Sequence, residues 1–549
     1  MVLDLSADAV RVLRRIEVGA GPAQVVFDGT GRVFVTERRA GTVSIYDLRD
    51  GRRIASSPVA RDPIGVALSP DEESVYVTSG LGQALTAFEA RDLVMKFSIP
   101  VARSPRGLAV SRDGREVYIA HMVGVPLSVV DVGPTPPALR AVPPLPLRAP
   151  VFSFGDNMFP LSVPQSPALG ASVAMNPQSG RVYVPFMVNR TGGSADTESG
   201  SYGGDFSSIL RTKFSVAAFD PATGQWAAVE FPNYRPREFL NLQTPRTERD
   251  VRLPSAAVLA ADGSALLVAS EGTGHVVTVA RPTKIEPPRG TGARVVATLR
   301  TIAAPCGIAE SVRHGVLVYS QIDHAVEWGP AGGRLRLAIG DERLTAAVAR
   351  GRRLFVTADD PRLSEQGLAC AGCHPDGYDD GLVWNSPSGG VQTPSLAGRL
   401  VPPFGWSGRF GTLDEVVRVT IRRLRGTGLP PEDVAALSAF LEHGLPRARR
   451  GDPSSAESSR GRALFEGTAG CASCHDRDRA FADGQRHVLT QGAFDTPSLV
   501  DVAATPPYLH DGSALTLRGL LTDPRLRMGH SSGLDAEDID ALAAYLADL

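Results

Sequence analysis

The chain has 549 residues but only 5 cysteines, 7 methionines and 10 histidines, so any chemistry that needs sulfur or imidazole has few places to sit. No apolar run approaches the ~20 residues of a membrane-spanning helix, which excludes a helical membrane span. A surplus of charge is also missing: 57 Lys and Arg face 59 Asp and Glu, mixed along the chain, for a net charge of -2. That balance argues against nucleic acid or an anionic membrane as the main partner. The first residues lack a basic start followed by an apolar stretch, so no signal peptide is visible. Such a length exceeds one hydrophobic core, and at roughly 100–200 residues per domain it predicts two to four domains.

What is present begins with a repeat. Across residues 1–340 a small turn, an apolar strand, a polar turn and a second strand recur about every forty residues. Pro22-Ala-Gln-Val-Val-Phe27 leads to Val33-Phe-Val-Thr36, Pro63-Ile-Gly-Val-Ala-Leu68 to Val75-Tyr-Val-Thr78, and Pro105-Arg-Gly-Leu-Ala-Val110 to Val117-Tyr-Ile-Ala120. Weaker copies start near Ala171, Pro254 and Pro305. Strand-rich units at this spacing cannot each bury both faces alone, so they predict the blades of a β-propeller. The repeat resembles the YVTN family of propellers, which implies seven blades. Six copies are visible, and a seventh is expected to be irregular or completed by the Arg11–Val18 strand joining the last blade. Two insertions interrupt the pattern, one Pro-rich (134–167) and one Gly/Ser-rich (189–206).

Beyond residue 340 the pattern becomes helical and is written twice. Gly351-Arg-Arg-Leu-Phe355 matches Gly461-Arg-Ala-Leu-Phe465, and Gln392-Thr-Pro-Ser-Leu396 matches Asp495-Thr-Pro-Ser-Leu499. Pro402-Pro-Phe-Gly-Trp406-Ser-Gly408 matches Pro506-Pro-Tyr-Leu-His510-Asp-Gly512, and the closing helix with Phe440 matches the one with Tyr545. Each copy opens with a short helix and closes with an amphipathic one. The expected domains are therefore a propeller (1–340) and two all-α cytochrome c-like domains (341–446 and 453–549).

Each copy also carries Cys-x-x-Cys-His: Cys370-Ala-Gly-Cys373-His374 and Cys471-Ala-Ser-Cys474-His475. Two thiols on one turn reach the two vinyl groups of a porphyrin, and the adjacent histidine points at the iron. A zinc or dithiol site is the competing reading, and duplication inside matching helical units weighs against it. Two covalently bound c-type haems are thus the expected cofactors. They place the protein in the periplasm or another extracytoplasmic compartment, with this numbering starting after any leader. The remaining cysteine, Cys306, sits in a strand and reads as a structural thiol.

The sixth iron ligands are expected to differ. The second copy offers Met528, the preferred candidate, and His530 in Arg527-Met-Gly-His530, whereas the matching stretch of the first has Arg423 and Arg425. Methionine would raise the potential of its haem. Between His374 and Trp406 the first copy has no histidine or methionine, so its iron is expected to be open to a small ligand, with Tyr378 as a lesser candidate. His443 is expected at the surface and His487 near a propionate. His121, His275, His314 and His324 lack ligand spacing and read as structural.

Two unequal haem sites, with Trp406-Ser-Gly-Arg409 in one copy and Pro507-Tyr-Leu-His-Asp-Gly512 in the other, resemble the bacterial di-haem cytochrome c peroxidase superfamily, which includes the di-haem enzyme that matures tryptophan tryptophylquinone. The resemblance covers about 200 residues, 345–549. It implies that Trp406 relays electrons between the haems. It also implies that the carbonyls of Thr505 and Pro507 hold a calcium ion, with the family's asparagine ligand falling near Val391 or Gln392. The positions of the family's distal glutamine and glutamate read Val416 and Gly426, leaving Glu415, Arg423, Arg425 or Asp379 as substitutes. The resulting expectation is an oxidoreductase that reduces peroxide at the His374 haem with electrons from the His475 haem. An electron-donor protein (a small cytochrome or copper protein) or a protein substrate would supply them. The alternative is a non-catalytic electron carrier that uses the propeller for docking.

Overall fold

The computed structural model describes residues 2–4, 11–147, 151–154, 157–160, 165–190, 212–230, 251–280, 295–329, 333–365, 367–386, 389–445, 455–489, 492–523, 529–530 and 533–549. The chain divides into two compact units. One holds residues 1–190, 210–343 and 356–359, and the other holds 191–209, 344–355 and 360–549.

The first unit is a β-propeller with six blades among the described residues, spanning 22–58, 63–100, 105–140, 165–230, 254–300 and 305–338. Each blade is an antiparallel sheet with its strands in sequence order, and the fourth carries one short extra strand. Residue type follows position. Ser74–Ser79 in the second blade is buried along its whole length, as a strand covered on both faces must be, whereas the outermost strand of the first blade, Arg53–Pro58, alternates between exposed and partly buried. Consecutive blades are stitched by hydroxyls: Thr36 Oγ1 donates to the Ile64 carbonyl and Thr78 Oγ1 to the Arg106 carbonyl, each at 2.6 Å.

Two sequence expectations change here. The six blades correspond to the six visible copies, and no seventh appears among the described residues. Arg11–Arg14 does not complete the last blade. It pairs antiparallel with Val2–Asp4, a partner a few residues away whose loop costs little entropy to close. The Pro-rich insertion contributes the outer strand of the third blade, Ala138–Arg140, and a hairpin of Val151–Phe154 with Asn157–Pro160. The Gly/Ser-rich insertion lies largely outside the described residues.

Among the described residues, the second unit contains seven helices: α1 (Ala346–Val356), α2 (Cys370–Cys373), α3 (Leu413–Arg423), α4 (Pro431–His443), α5 (Ala456–Glu466), α6 (Leu517–Thr522) and α7 (Ala536–Asp548). Local chemistry sets their starts. Ser455 caps α5, Asp535 caps α7 by accepting from the Asp538 N–H, and Pro430-Pro431 opens α4. The repeated glycines mark where opening and closing helices cross. A Cβ on Gly351 would lie 2.0 Å from the Ala436 carbonyl oxygen, and one on Gly461 would lie 1.9 Å from that of Ala541. One turn later the repeated aromatics meet, Phe355 on Phe440 with ring centroids 5.2 Å apart and Phe465 on Tyr545 at 5.3 Å. The same backbone approach and aromatic pair thus build both halves. Among the described residues, no helix is long and apolar enough to cross a membrane.

Candidate functional site

The first haem motif folds as one helical turn. The His374 N–H donates to the Cys370 carbonyl at 2.9 Å, which sets both thiols and the imidazole on the same short element. The second motif does likewise, with His475 N–H to the Cys471 carbonyl at 3.0 Å. No disulfide joins any of the five cysteines.

Each histidine is held by a backbone acceptor. His374 Nδ1 lies 3.1 Å from the Tyr378 carbonyl, and His475 Nδ1 lies 2.8 Å from the Phe481 carbonyl. Donation from Nδ1 fixes the tautomer and leaves Nε2 as the lone-pair nitrogen, the arrangement a metal ligand requires. Burial pushes both imidazoles below their ordinary pKa, which favours the neutral, ligating form. The donor set therefore fits a covalently held haem in each half. Cys370, Cys373 and His374 would hold one; Cys471, Cys474 and His475 would hold the other.

The surroundings differ. Next to His374 the chain buries two acids, Asp379 and Asp380, each 1% exposed. Their Oδ1 atoms accept from the N–H groups of Gly381 and Leu382, each at 3.0 Å. Tyr378 turns its hydroxyl to Asp501 Oδ2 at 3.4 Å. In the second half the loop carries Asp483 bonded to His487 at 2.7 Å. The Asp483 and His487 ligand atoms and Cys474 Sγ lie within 4.8 Å of one another.

The distal candidates are distributed as follows. Met528 lies outside the described residues. His530 is exposed; its N–H donates to the Ala469 carbonyl at 2.9 Å and its ring packs over Gly470, one residue before Cys471. Arg423 ends α3 and Arg425 follows in left-handed backbone at φ 56°; both are exposed, and Arg425 bridges to Ser364 and faces Glu365 at 4.0 Å. Glu415 is spent elsewhere: it completes a capping box with Thr412, accepting from the N–H groups of Gly411 and Thr412. The Thr-x-x-Glu spacing announces this role in the sequence. A side chain at Gly426 is excluded, because its Cβ would lie 2.4 Å from the Arg362 carbonyl oxygen and 2.5 Å from that of Leu363. The structural histidines behave accordingly: His121 is buried against the Arg103 carbonyl and burial pushes it down to about 4, while His443 lies at the surface. Cys306 places its thiol on the Tyr319 carbonyl, and desolvation pushes it up to about 12.

Between the two halves lies a reciprocal backbone exchange. The Gln392 N–H donates to the His510 carbonyl at 2.6 Å, and the Asp495 N–H donates to the Trp406 carbonyl at 3.0 Å. Gln392 matches Asp495 in the duplicated sequence and Trp406 matches His510, so the contact has the self-complementary form of a two-fold interface. The Trp406 indole N–H donates to the Gln392 carbonyl at 2.9 Å, which fixes the ring at this junction. The sequence singles out Trp406, and places Gln392 only near an implied calcium ligand, with no hydrogen-bonding role at the junction. The repeated Thr-Pro-Ser-Leu that follows it was the available signal.

The implied calcium site does not fit these groups. Calcium takes roughly 6–8 oxygen ligands, yet the Pro507 carbonyl already receives the Gln392 Nε2–H at 2.5 Å. A nitrogen donor stands where a cation would have to bind.

No family model matches the chain. Hydrazine synthase subunit gamma of Kuenenia stuttgartiensis is 26% identical over 313 residues, 42% of this chain and 88% of that one. Among solved structures, the Cps50 (Swd1) β-propeller domain of Myceliophteria thermophila aligns with 60% of this chain and 90% of its own, at 11% identity and a TM-score of 0.41. Methylamine utilization protein MauG of Methylorubrum extorquens is 31% identical over 244 residues, 32% of this chain and 67% of that protein. With its duplicated haem-binding halves, the chain belongs to the MauG family of di-haem c-type oxidoreductases.

Proposed function

We propose that the protein is an extracytoplasmic peroxidase-like enzyme whose two halves divide the work. The reaction balances as one hydrogen peroxide, two electrons and two protons giving two waters. When bound, the haem of the first half supplies an iron that takes up peroxide, and that of the second half supplies electron transfer.

The chain's own residues account for the division. Cys370, Cys373, Cys471 and Cys474 tether the two groups, and His374 and His475 ligate them. The Nδ1 bonds to the Tyr378 and Phe481 carbonyls keep each imidazole oriented and raise its basicity as a ligand. Met528 is the proposed distal ligand of the second half, with His530 as its competitor, while the first half brings no comparable side chain. Trp406 offers a short aromatic path at the junction, held by its indole N–H on Gln392. Arg423 and Arg425 are the proposed cationic contributors near the first half, stabilising negative charge on the oxidant. The electrons come from a small cytochrome or copper protein, or from a protein substrate that is itself oxidised by two electrons.

The observation that carries this reading is the asymmetry of distal candidates between two halves that otherwise share their packing. The test is an optical and EPR titration of the reduced protein with hydrogen peroxide. One high-spin haem that responds to peroxide and one low-spin haem that is then oxidised support the reading; two six-coordinate haems in every redox state, with no response, refute it.

A specific observation favours a second reading. Glu415 is committed to a helix cap and Gly426 has no room for a side chain, so the acid–base assistance worth ~10²–10⁴ in rate lacks those two contributors. The chain would then act as an electron carrier with the propeller as its docking module. Fast electron exchange with a partner cytochrome and no peroxide turnover would mark that outcome.

A further inference from the structure

Gln392 is 4% exposed, and three of its hydrogen bonds go to residues around the junction between the haem-binding halves. Its backbone N–H reaches the His510 carbonyl, its carbonyl receives the Trp406 indole, and its side-chain Nε2 reaches the Pro507 carbonyl at 2.5 Å. Only the amide nitrogen can face Pro507 favourably, since an amide oxygen there would oppose another carbonyl oxygen. The residue thus joins the Val383–Ser386 and Gly389–Gln392 hairpin of the first half to the Pro507–His510 loop of the second, with the indole on the same peptide.

We propose that Gln392 is a positioning residue that couples the two haem-binding halves without a metal ion, its amide N–H doing at the Pro507 carbonyl what a bridging cation would otherwise do. The inference rests on the reading of Trp406 as the electron path. Its physical content is a substitution of one charge-neutral hydrogen bond for an ion–dipole contact. Coupling of the halves is therefore insensitive to calcium and to chelators. A carboxylate at the same position would lose the donor and set negative charge against a carbonyl oxygen, an arrangement that a cation relieves.

The experiment uses the full-length protein with both haems attached. Calcium binding is measured by calorimetry up to about 1 mM, the weak end of protein calcium sites. The haem EPR spectra and the rate of peroxide-driven oxidation of the second haem are recorded with calcium and with a chelator. The wild type is expected to bind no calcium and to give the same spectra and rate in both conditions. Gln392→Glu is expected to acquire calcium binding, with its rate restored by calcium and lost to the chelator. Gln392→Ala is expected to slow inter-haem transfer by roughly tenfold through misplacement of the path, with no rescue by calcium and no change in the spin state of either haem. Stoichiometric calcium on the wild type whose removal alters the spectra would overturn the proposal, and so would an unchanged rate in Gln392→Ala. If Gln392→Ala fails to fold, the wild-type titration still decides. Trp406→Phe separates the two readings: no slowing there overturns the electron path itself, whereas slowing there with none in Gln392→Ala overturns only the role of Gln392.

Discussion

In the first haem-binding half, the loop after the ligating histidine buries two acids, Asp379 and Asp380; in the second, the corresponding loop pairs Asp483 with His487 beside Cys474. The first half places Arg423 and Arg425 where the second places Met528 and His530. Yet the helix crossings at Gly351 and Gly461, the aromatic pairs behind them and the histidine Nδ1 bonds are shared. Packing positions are constrained by close contact and cannot drift without cost, while the positions proposed as distal to the two haems differ in residue type. Duplication therefore preserves a scaffold and releases its ligands.

The largest effects should come from the haem tethers and ligands. Cys370→Ala with Cys373→Ala should remove one covalent haem per chain, and with it the peroxide response. The matching Cys471→Ala and Cys474→Ala pair should instead leave a peroxide-reactive haem without its electron supply. Haem stoichiometry from pyridine haemochrome spectra and a peroxide titration of each variant check this; loss of the peroxide response in the second pair alone would reverse the assignment of the halves. Next, Met528→Ala should convert the low-spin haem to high-spin and lower its potential, while His530→Ala leaves both unchanged. Redox titration with EPR decides between the two ligands.

Intermediate effects should come from the shared scaffold. Gly351→Ala and Gly461→Ala should each destabilise the protein by about 1–3 kcal/mol, because a methyl cannot fit against the facing carbonyl. Chemical denaturation of both variants tests whether the halves depend equally on this contact. A neutral result in one half would show that its crossing is not the packing constraint it shares with the other.

The smallest effect concerns pH and Asp495, the counterpart of Gln392. Burial, with Asp483 close by, pushes its carboxyl up to about 7. The folded state therefore retains a proton that the unfolded chain releases near ~4. Stability attributable to this group falls as pH rises from about 4 to about 7, and the loss is complete above that. Asp495→Asn should raise Tm at about pH 8 and leave it nearly unchanged at about pH 4; an equal shift at both would locate the effect elsewhere.

Much of this was legible in the sequence. The propeller strands repeat at a fixed spacing, and the haem motifs, crossing glycines and aromatic pairs each occur twice, so local chemistry and periodicity announced them. What escaped depends on long-range partners. Gln392 reaches Pro507 across more than a hundred residues, and no local pattern encodes that bond. Arg11–Arg14 took a neighbouring strand rather than the last blade. Glu415 shows a different limit: its capping spacing is present in the sequence, yet the same carboxylate also reads as a substitute in the haem pocket.

The inequality of the two haems is the central claim, and EPR of the oxidised full-length protein, with Met528→Ala alongside, tests it most directly. The account predicts one high-spin and one low-spin ferric signal in equal amounts, the low-spin signal turning high-spin in Met528→Ala. Two low-spin signals in the wild type, both unaffected by that substitution, would contradict it.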